Sequence, residues 1–324
     1  MIGRPVQRAC LRFLDPVLAA ILVLLGPLLM LAARLRLHAP VTHATQTWLG
    51  VGIVQHHYYE PLVKRGDLHR PLDDKRELPG VDLRIGDQLA LVAQFDYAEE
   101  LLALPLEKPS DTEFGYHNGW YEAGDAELFY DFVRFFKPKR IVEVGSGNSS
   151  LIAEKAIAAN RAEDPGYACK HICIEPYERP WLEELGIQIV RGRVEQCDPA
   201  LFERLGENDF LFIDSSHVLR PQGDICHLYL SVLPKLRPGV IVHVHDVFTP
   251  RDYLEQWVSQ GRLWNEQYVL EAFLSCNSQF RVLAALNLLA HDYRDSLALA
   301  CPVLMREPSF EPGAFWFQRV DERG

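Results

Sequence analysis

IVEVGSGNSS, residues 141–150, runs from a β-branched apolar pulse into two glycines and a cluster of helix-capping side chains. Gly145 and Gly147 permit backbone conformations and a ligand approach that a Cβ obstructs, and Asn148, Ser149 and Ser150 can cap the helix that follows. The start of such a helix offers unpaired N–H groups and partial positive charge to an anion. A P-loop is excluded, because no Gly-Lys-Ser/Thr follows. A dinucleotide fingerprint fits poorly, since Ser150 stands at the third glycine position, where close helix packing is wanted. Glu143 separates the remaining readings: a carboxylate is unwelcome beside a pyrophosphate but suits a ligand carrying an ammonium group.

Outward from this turn the pattern is regular. Residues 125–136 (DAELFYDFVRFF) have helical spacing and stop at Lys137-Pro138; a strand follows over 140–144. Further β pulses recur at 171–174, 187–190, 210–213 and 240–244, separated by helical stretches such as 151–160 and 223–236. Such alternation predicts a parallel sheet covered on both faces. Residues 263–275 read as another helix. Strands over 280–286 and 314–319 are placed to pair antiparallel at the sheet edge, and 87–102 is the clearest helix between residues 39 and 116.

About thirty residues after the turn, a second strand ends in Glu175, whose carboxylate can accept hydrogen bonds from both hydroxyls of a ribose. EVGSG (143–147), IEP (174–176), FLFIDSSH (210–217) and VIVHVHDVF (240–248) together resemble class I S-adenosylmethionine-dependent methyltransferases, over residues 116–319. The nearest type is the small-molecule group whose fourth strand ends in Asp-x-x-His and whose fifth ends in His-Asp. The resemblance implies a Rossmann-like, seven-stranded, mostly parallel sheet with helices on both faces. It implies S-adenosylmethionine as cofactor, held by Glu143, Gly145, Gly147, Asn148 and Asp214, with Glu175 on the ribose and Val194 and Glu195 near the adenine. Read without it, Glu143 is also compatible with a salt-bridged strand residue, and Glu175 with a carboxylate at a helix start.

Methyl transfer from a sulfonium needs an acceptor held in line and made nucleophilic, so the reacting groups are expected at the carboxyl ends of the strands. His217 is the preferred general base, with Asp214 or Asp246 orienting it or, as hard oxygen ligands, binding Mg²⁺. The competing role for His217 is to hold its loop; Asp224 fits a cap or support for the next helix and only weakly suggests a third metal ligand. His243 and His245 share a strand face, as a zinc-binding pair would, but no further ligands complete a metallohydrolase set. In YHNGWYEAGD (116–125), His117, Asn118, Trp120 and Tyr121 are candidates for the acceptor pocket, and Asp125 fits a helix N-cap. Trp264, Asn265 and Gln267 could reach the acceptor from the start of their helix.

A formal charge of -11 in 324 residues, with pI near 5.6, disfavours nucleic acid as partner. Seven scattered cysteines read as reduced thiols. Residues 16–33 carry no charge and are bracketed by Arg4, Arg8 and Arg12 before and Arg34 and Arg36 after. This apolar run is close to the ~20 residues that span a bilayer. A membrane anchor is preferred over a signal peptide or a buried helix. The expected organisation is a hydrophobic anchor helix over 1–38, an extension over 39–115 and a methyltransferase domain over 116–324, facing the cytoplasm where the cofactor is made. The expected function is methylation, preferably on oxygen, of a small-molecule, glycan or lipid-linked acceptor. A nicotinamide oxidoreductase and a non-catalytic module of the same fold are the alternatives.

Overall fold

The computed structural model describes residues 4–35, 38–177 and 179–321, the side chains of 4–12 excepted; Arg36 and the side chains of Arg4, Arg8 and Arg12 lie outside the described set. The chain divides into two compact units, Met1–His69 with Ser259–Leu263, and Arg70–Val258 with Trp264–Gly324. In the first, α1 (Arg4–Arg34) contains the stretch Phe13–Arg34, which is long and apolar enough to cross a membrane and has none of its length buried. A short helix, α2 (Pro40–Leu49), follows, closed by Gly50 in the left-handed conformation.

The second unit is built on seven strands: β1 (Arg140–Val144), β2 (Lys170–Ile174), β3 (Gln188–Val190), β4 (Phe210–Ile213), β5 (Ile241–Val244), β6 (Phe280–Ala285) and β7 (Phe315–Arg319). Their order is β3-β2-β1-β4-β5-β7-β6. β1 to β5 are parallel, and β7 runs antiparallel between β5 and β6. The antiparallel pairing expected of the last two strands is present, but β7 lies inside the sheet and only β6 is at the edge.

Strand periodicity sorts side chains between two cores. Ile141, Phe210, Phe212, Ile241 and Trp316 pack with α5 (Asp125–Phe136) and α6 (Asn148–Glu163). Val142, Leu211, Ile213, Val242 and Val244 pack on the other face with Leu228, Leu233 and Leu270. Both faces are therefore covered, which is why these strands read as continuous apolar pulses.

The helix α5 has the predicted bounds, but Asp125 is its first residue and Gly124 its N-cap; the Gly124 N–H donates to Glu127 Oε2 at 2.9 Å. The single helix expected over 87–102 is two, α3 (Ile85–Val92) and α4 (Ala98–Leu102). Between them the chain turns inward to bury Phe95 against Phe132 and Phe135, at ring distances of 5.6 and 5.4 Å. The strand expected to reach residue 286 stops at Ala285, where Leu286–Asp292 begins a helix.

Candidate active site

The strand order reverses between β1 and β4, the switch point at which open α/β sheets bind their ligands. Gly145 stands there with φ 81°, and a Cβ on it would come within 1.7 Å of the Asp214 carbonyl oxygen. The Gly145 N–H donates to Ile174 O at 3.0 Å and the Asp214 N–H to Val144 O at 2.8 Å, so the turn is pinned to the ends of β2 and β4 at once. α6 starts directly after Gly147, whose N–H donates to Ser150 Oγ at 3.1 Å.

Glu143 does not open towards a ligand. It is wholly buried, and its carboxylate accepts from the hydroxyls of Ser149 and, at 2.6 Å, Ser150, with His171 Nε2 at 3.1 Å. Strand parity turns it towards the first turn of α6, which it ties to β1. The imidazole of His171 is opposed by burial, but Cys173, Glu143 and Glu154 outweigh that and hold its pKa well above the ordinary value. Direct contact of Glu143 with a ligand ammonium, expected from its position before the glycines, is thus replaced by support of the turn from beneath.

Glu175 meets the turn from the neighbouring strand end. Its carboxylate accepts from the Ser146 N–H at 3.1 Å and the Tyr177 N–H at 2.8 Å, one bond to each oxygen, leaving lone pairs for two more donors. Asn148 Oδ1 accepts from Lys108 Nζ at 3.0 Å, which brings a cation beside the start of α6. Val194 is buried in the core, whereas Glu195 is half-buried on the same short helical turn.

At the ends of β4 and β5, acids and imidazoles converge. His217 Nε2 lies 3.2 Å from Asp214 Oδ1 and 3.4 Å from Asp246 Oδ2, and Nδ1 lies 2.9 Å from Glu266 Oε2. His217 and Asp246 both have φ 58°, left-handed backbone that non-glycine residues adopt at a cost and that clusters at functional sites. The loop is fixed from outside: Ser216 donates its N–H and Oγ–H to Asp224, each at 2.8 Å, and the His217 carbonyl accepts from the Asn265 N–H at 2.9 Å. The Trp264 ring lies 4.5 Å from that of His217.

Burial opposes charge on His217, but Asp214 and Glu266, with Asp246 behind them, outweigh it and its pKa is pushed up to about 10. His245 is likewise opposed by burial and lifted well above its ordinary value by Asp246, Asp214 and Asp125. Burial acts against the charge of Asp214 too, yet His245 and His217 hold it below the usual carboxylate range. For Asp246, burial prevails over the same two histidines and its pKa rises. Oxygens of Asp214 and Asp246 and a ring nitrogen of His217 lie within 4.8 Å of one another, a donor set that fits a divalent cation.

The two histidines of β5 part company. His245 reaches Asp125 at 3.3 Å, while His243 is wholly buried between Phe212 and Trp316, ring distances 4.2 and 4.5 Å, and burial holds it neutral. Asp125 does more than start a helix: it also accepts from the N–H groups of Gly313 and Ala314, at 2.9 and 2.7 Å.

Of the residues expected to line an acceptor pocket, Tyr121 comes to the cluster; its ring lies 5.0 Å from that of His245 and its buried hydroxyl has no partner. Asn118 is committed to its own turn. Its amide donates to Gly115 O and Tyr121 O and its oxygen accepts from the N–H groups of Trp120 and Tyr121, so it is not available to an acceptor. His117 pairs with Glu107 at 2.8 Å, and Trp120 is 77% exposed. Gln267 accepts from the Phe248 N–H at 2.7 Å, a structural contact. Glu266, unremarked in the sequence, is the residue that completes the cluster, and no local motif links it to His217.

Residues 142–247 match the sequence model of a family described as a methyltransferase domain. An uncharacterized protein of Archaeoglobus fulgidus is 29% identical over 169 residues, 47% of this chain and 73% of that one. Among solved structures, an O-methyltransferase from Bacillus cereus in complex with SAH is similar at 14% identity and TM-score 0.37, covering 72% of this chain and 91% of that one. A putative methyltransferase from Thermobifida fusca is similar at 14% identity and TM-score 0.38, covering 61% and 82% respectively. MycE methyltransferase, from the mycinamycin pathway and in complex with Mg and SAH, is similar at 14% identity and TM-score 0.36, covering 67% of this chain and 56% of its own.

Proposed function

We propose that this chain, whose residues 142–247 match a methyltransferase domain, is a class I S-adenosylmethionine-dependent methyltransferase that methylates an oxygen of a small-molecule, glycan or lipid-linked acceptor while held to a membrane by Phe13–Arg34. The observation that carries the site assignment is the contact between Gly145 and Asp214. In that contact the glycine turn of β1 packs against the start of the acid–imidazole loop of β4, which supports reading the two as one site.

In this reading Gly145 and Gly147 allow the cofactor close to the backbone, Asn148 marks the helix start beside it, Glu175 binds the ribose and Asp214 stands between cofactor and acceptor. Glu143 acts through the turn. The sulfonium supplies an electrophilic methyl group, so the acceptor needs only alignment and loss of its proton.

His217 is the assigned base, through Nε2, since Nδ1 is engaged by Glu266. With a pKa near 10 it holds a proton at neutral pH and becomes a base only once that proton leaves. Mg²⁺ on Asp214 and Asp246 would supply positive charge there and acidify a hydroxyl. Tyr121 closes the pocket beside His245.

Calorimetric titration with S-adenosylhomocysteine and with NAD, followed by turnover of methyl-labelled cofactor in membrane extract, tests the reading. Binding of the first alone, with label on an extract component, is expected. Binding of NAD alone, or cofactor binding without turnover, overturns it. His217→Ala should spare cofactor binding and reduce turnover by ~100-fold or more; unchanged turnover retires the base.

A further inference from the structure

α2 has ten residues and no buried side chain. A helix that short is marginal in water, where ~12–15 residues are needed even for good helix formers, so it calls for a surface to lie on. Val41, Ala44, Thr45 and Trp48 stand at i, i+3, i+4 and i+7 and share one face, with Val41 79% and Trp48 83% exposed. The opposite face, with His43, Gln46 and Thr47, lines a recess shared with residues 50–54 of its own chain. On that side only Gln46 is half-buried, and the apolar face is exposed along its whole length. No Asp, Glu, Lys or Arg occurs in α2.

What covers that face follows from where α2 is tethered. Phe13–Arg34 has 22 residues, about 33 Å of helix, against about 30 Å of bilayer hydrocarbon. Only six residue steps separate Arg34 from Pro40, at most about 20 Å of chain, so whichever way the anchor points α2 begins beside the headgroups. Tyr58 and Tyr59, further along the same unit, are 92% and 84% exposed, and with Trp48 they are the residue types that favour a membrane–water interface.

We propose that α2 lies flat in the interfacial layer of a lipid bilayer, with Val41, Ala44 and Trp48 entering the acyl boundary, as a second membrane contact beyond the spanning helix. The tether argument rests on the anchor reading; the test separates the two. The full-length chain is reconstituted in phosphatidylcholine–phosphatidylglycerol vesicles, with and without lipids brominated near the glycerol end of their acyl chains. The contribution of Trp48 is the emission difference between the wild type and Trp48→Phe. It should be largely lost in the brominated vesicles and kept in plain ones, and Val41→Asp should restore it. Equal Trp48 emission in both kinds of vesicle overturns the proposal, including the case in which a second copy or another protein shields Trp48 from aqueous acrylamide. Extraction by alkaline carbonate reads the anchor separately: a chain released by carbonate refutes the span, while the quenching recorded before the wash still decides the fate of α2.

Discussion

Nδ1 of His217 stands 2.9 Å from Oε2 of Glu266, a residue 49 positions further along the chain. That contact leaves Nε2 to face Asp214 and Asp246 and adds a third carboxylate to the field that keeps the ring charged. Glu266→Gln keeps an acceptor for Nδ1–H and removes the charge. The pKa of His217 should fall from about 10, and the ascending limb of the turnover profile, where the base loses its proton, should move to lower pH with cofactor affinity unchanged. Nitrogen-15 NMR of the imidazole and a pH series of turnover read both; a stationary ring pKa would sink the tuning role.

Glu175 engages two backbone N–H groups and has lone pairs to spare. Glu175→Ala should weaken S-adenosylhomocysteine binding by about 1–3 kcal/mol, because hydrogen bonds to a charged acceptor are lost. Calorimetry measures it. An unchanged dissociation constant would mean that the ribose lies elsewhere.

Gly145→Ala combines two costs. The left-handed backbone disfavours any side chain by about 1–3 kcal/mol, and the new methyl group would overlap the Asp214 carbonyl, which is fixed at the end of β4. Loss of cofactor binding together with a lowered melting temperature is expected; a variant that keeps both would show that the turn does not pack on Asp214 as tightly as described.

Glu127 is buried on α5, where it accepts from the N–H groups of Gly124, Val303 and Leu304, at 2.9, 2.6 and 2.9 Å. Burial dominates these bonds, and its pKa rises from 4.5 to about 7. Below 4.5 the group is protonated in both folded and unfolded chains and contributes no pH dependence. Between 4.5 and about 7 the unfolded chain gives up the proton first, so stability falls as pH rises, by a total on the order of 3 kcal/mol, and then levels off. Glu127→Gln should lack that slope. Urea denaturation of both proteins between about pH 4 and pH 8 tests this; parallel profiles would contradict it.

Much of the sheet is legible in the sequence because each strand is buried on both faces and so reads as an apolar pulse bounded by polar turns. β1 and β4 are found to the residue. The place of β7 is not legible, because pairing depends on contacts that leave no local pattern. The same holds for the site. Asp214, His217 and Asp246 can be brought together on paper, since each follows a strand that ends at the same edge. Glu266 and Asp125 reach them from distant helices, and only the folded chain reveals those approaches. Glu143 shows a further limit: alternation tells which face a strand residue takes, not that the first turn of α6 will already occupy it.

Because β7 sits between β5 and β6, the ribosome delivers the edge strand before the one that joins it to the rest. β5 is finished at Val244 and its partner begins at Phe315; the roughly 70 residues between take several seconds at roughly 5–20 residues per second. Throughout that interval the nascent chain carries an unpaired margin on β5, apolar at every position but His243, which makes this stage of synthesis the one most exposed to mispairing and most in need of a chaperone's cover.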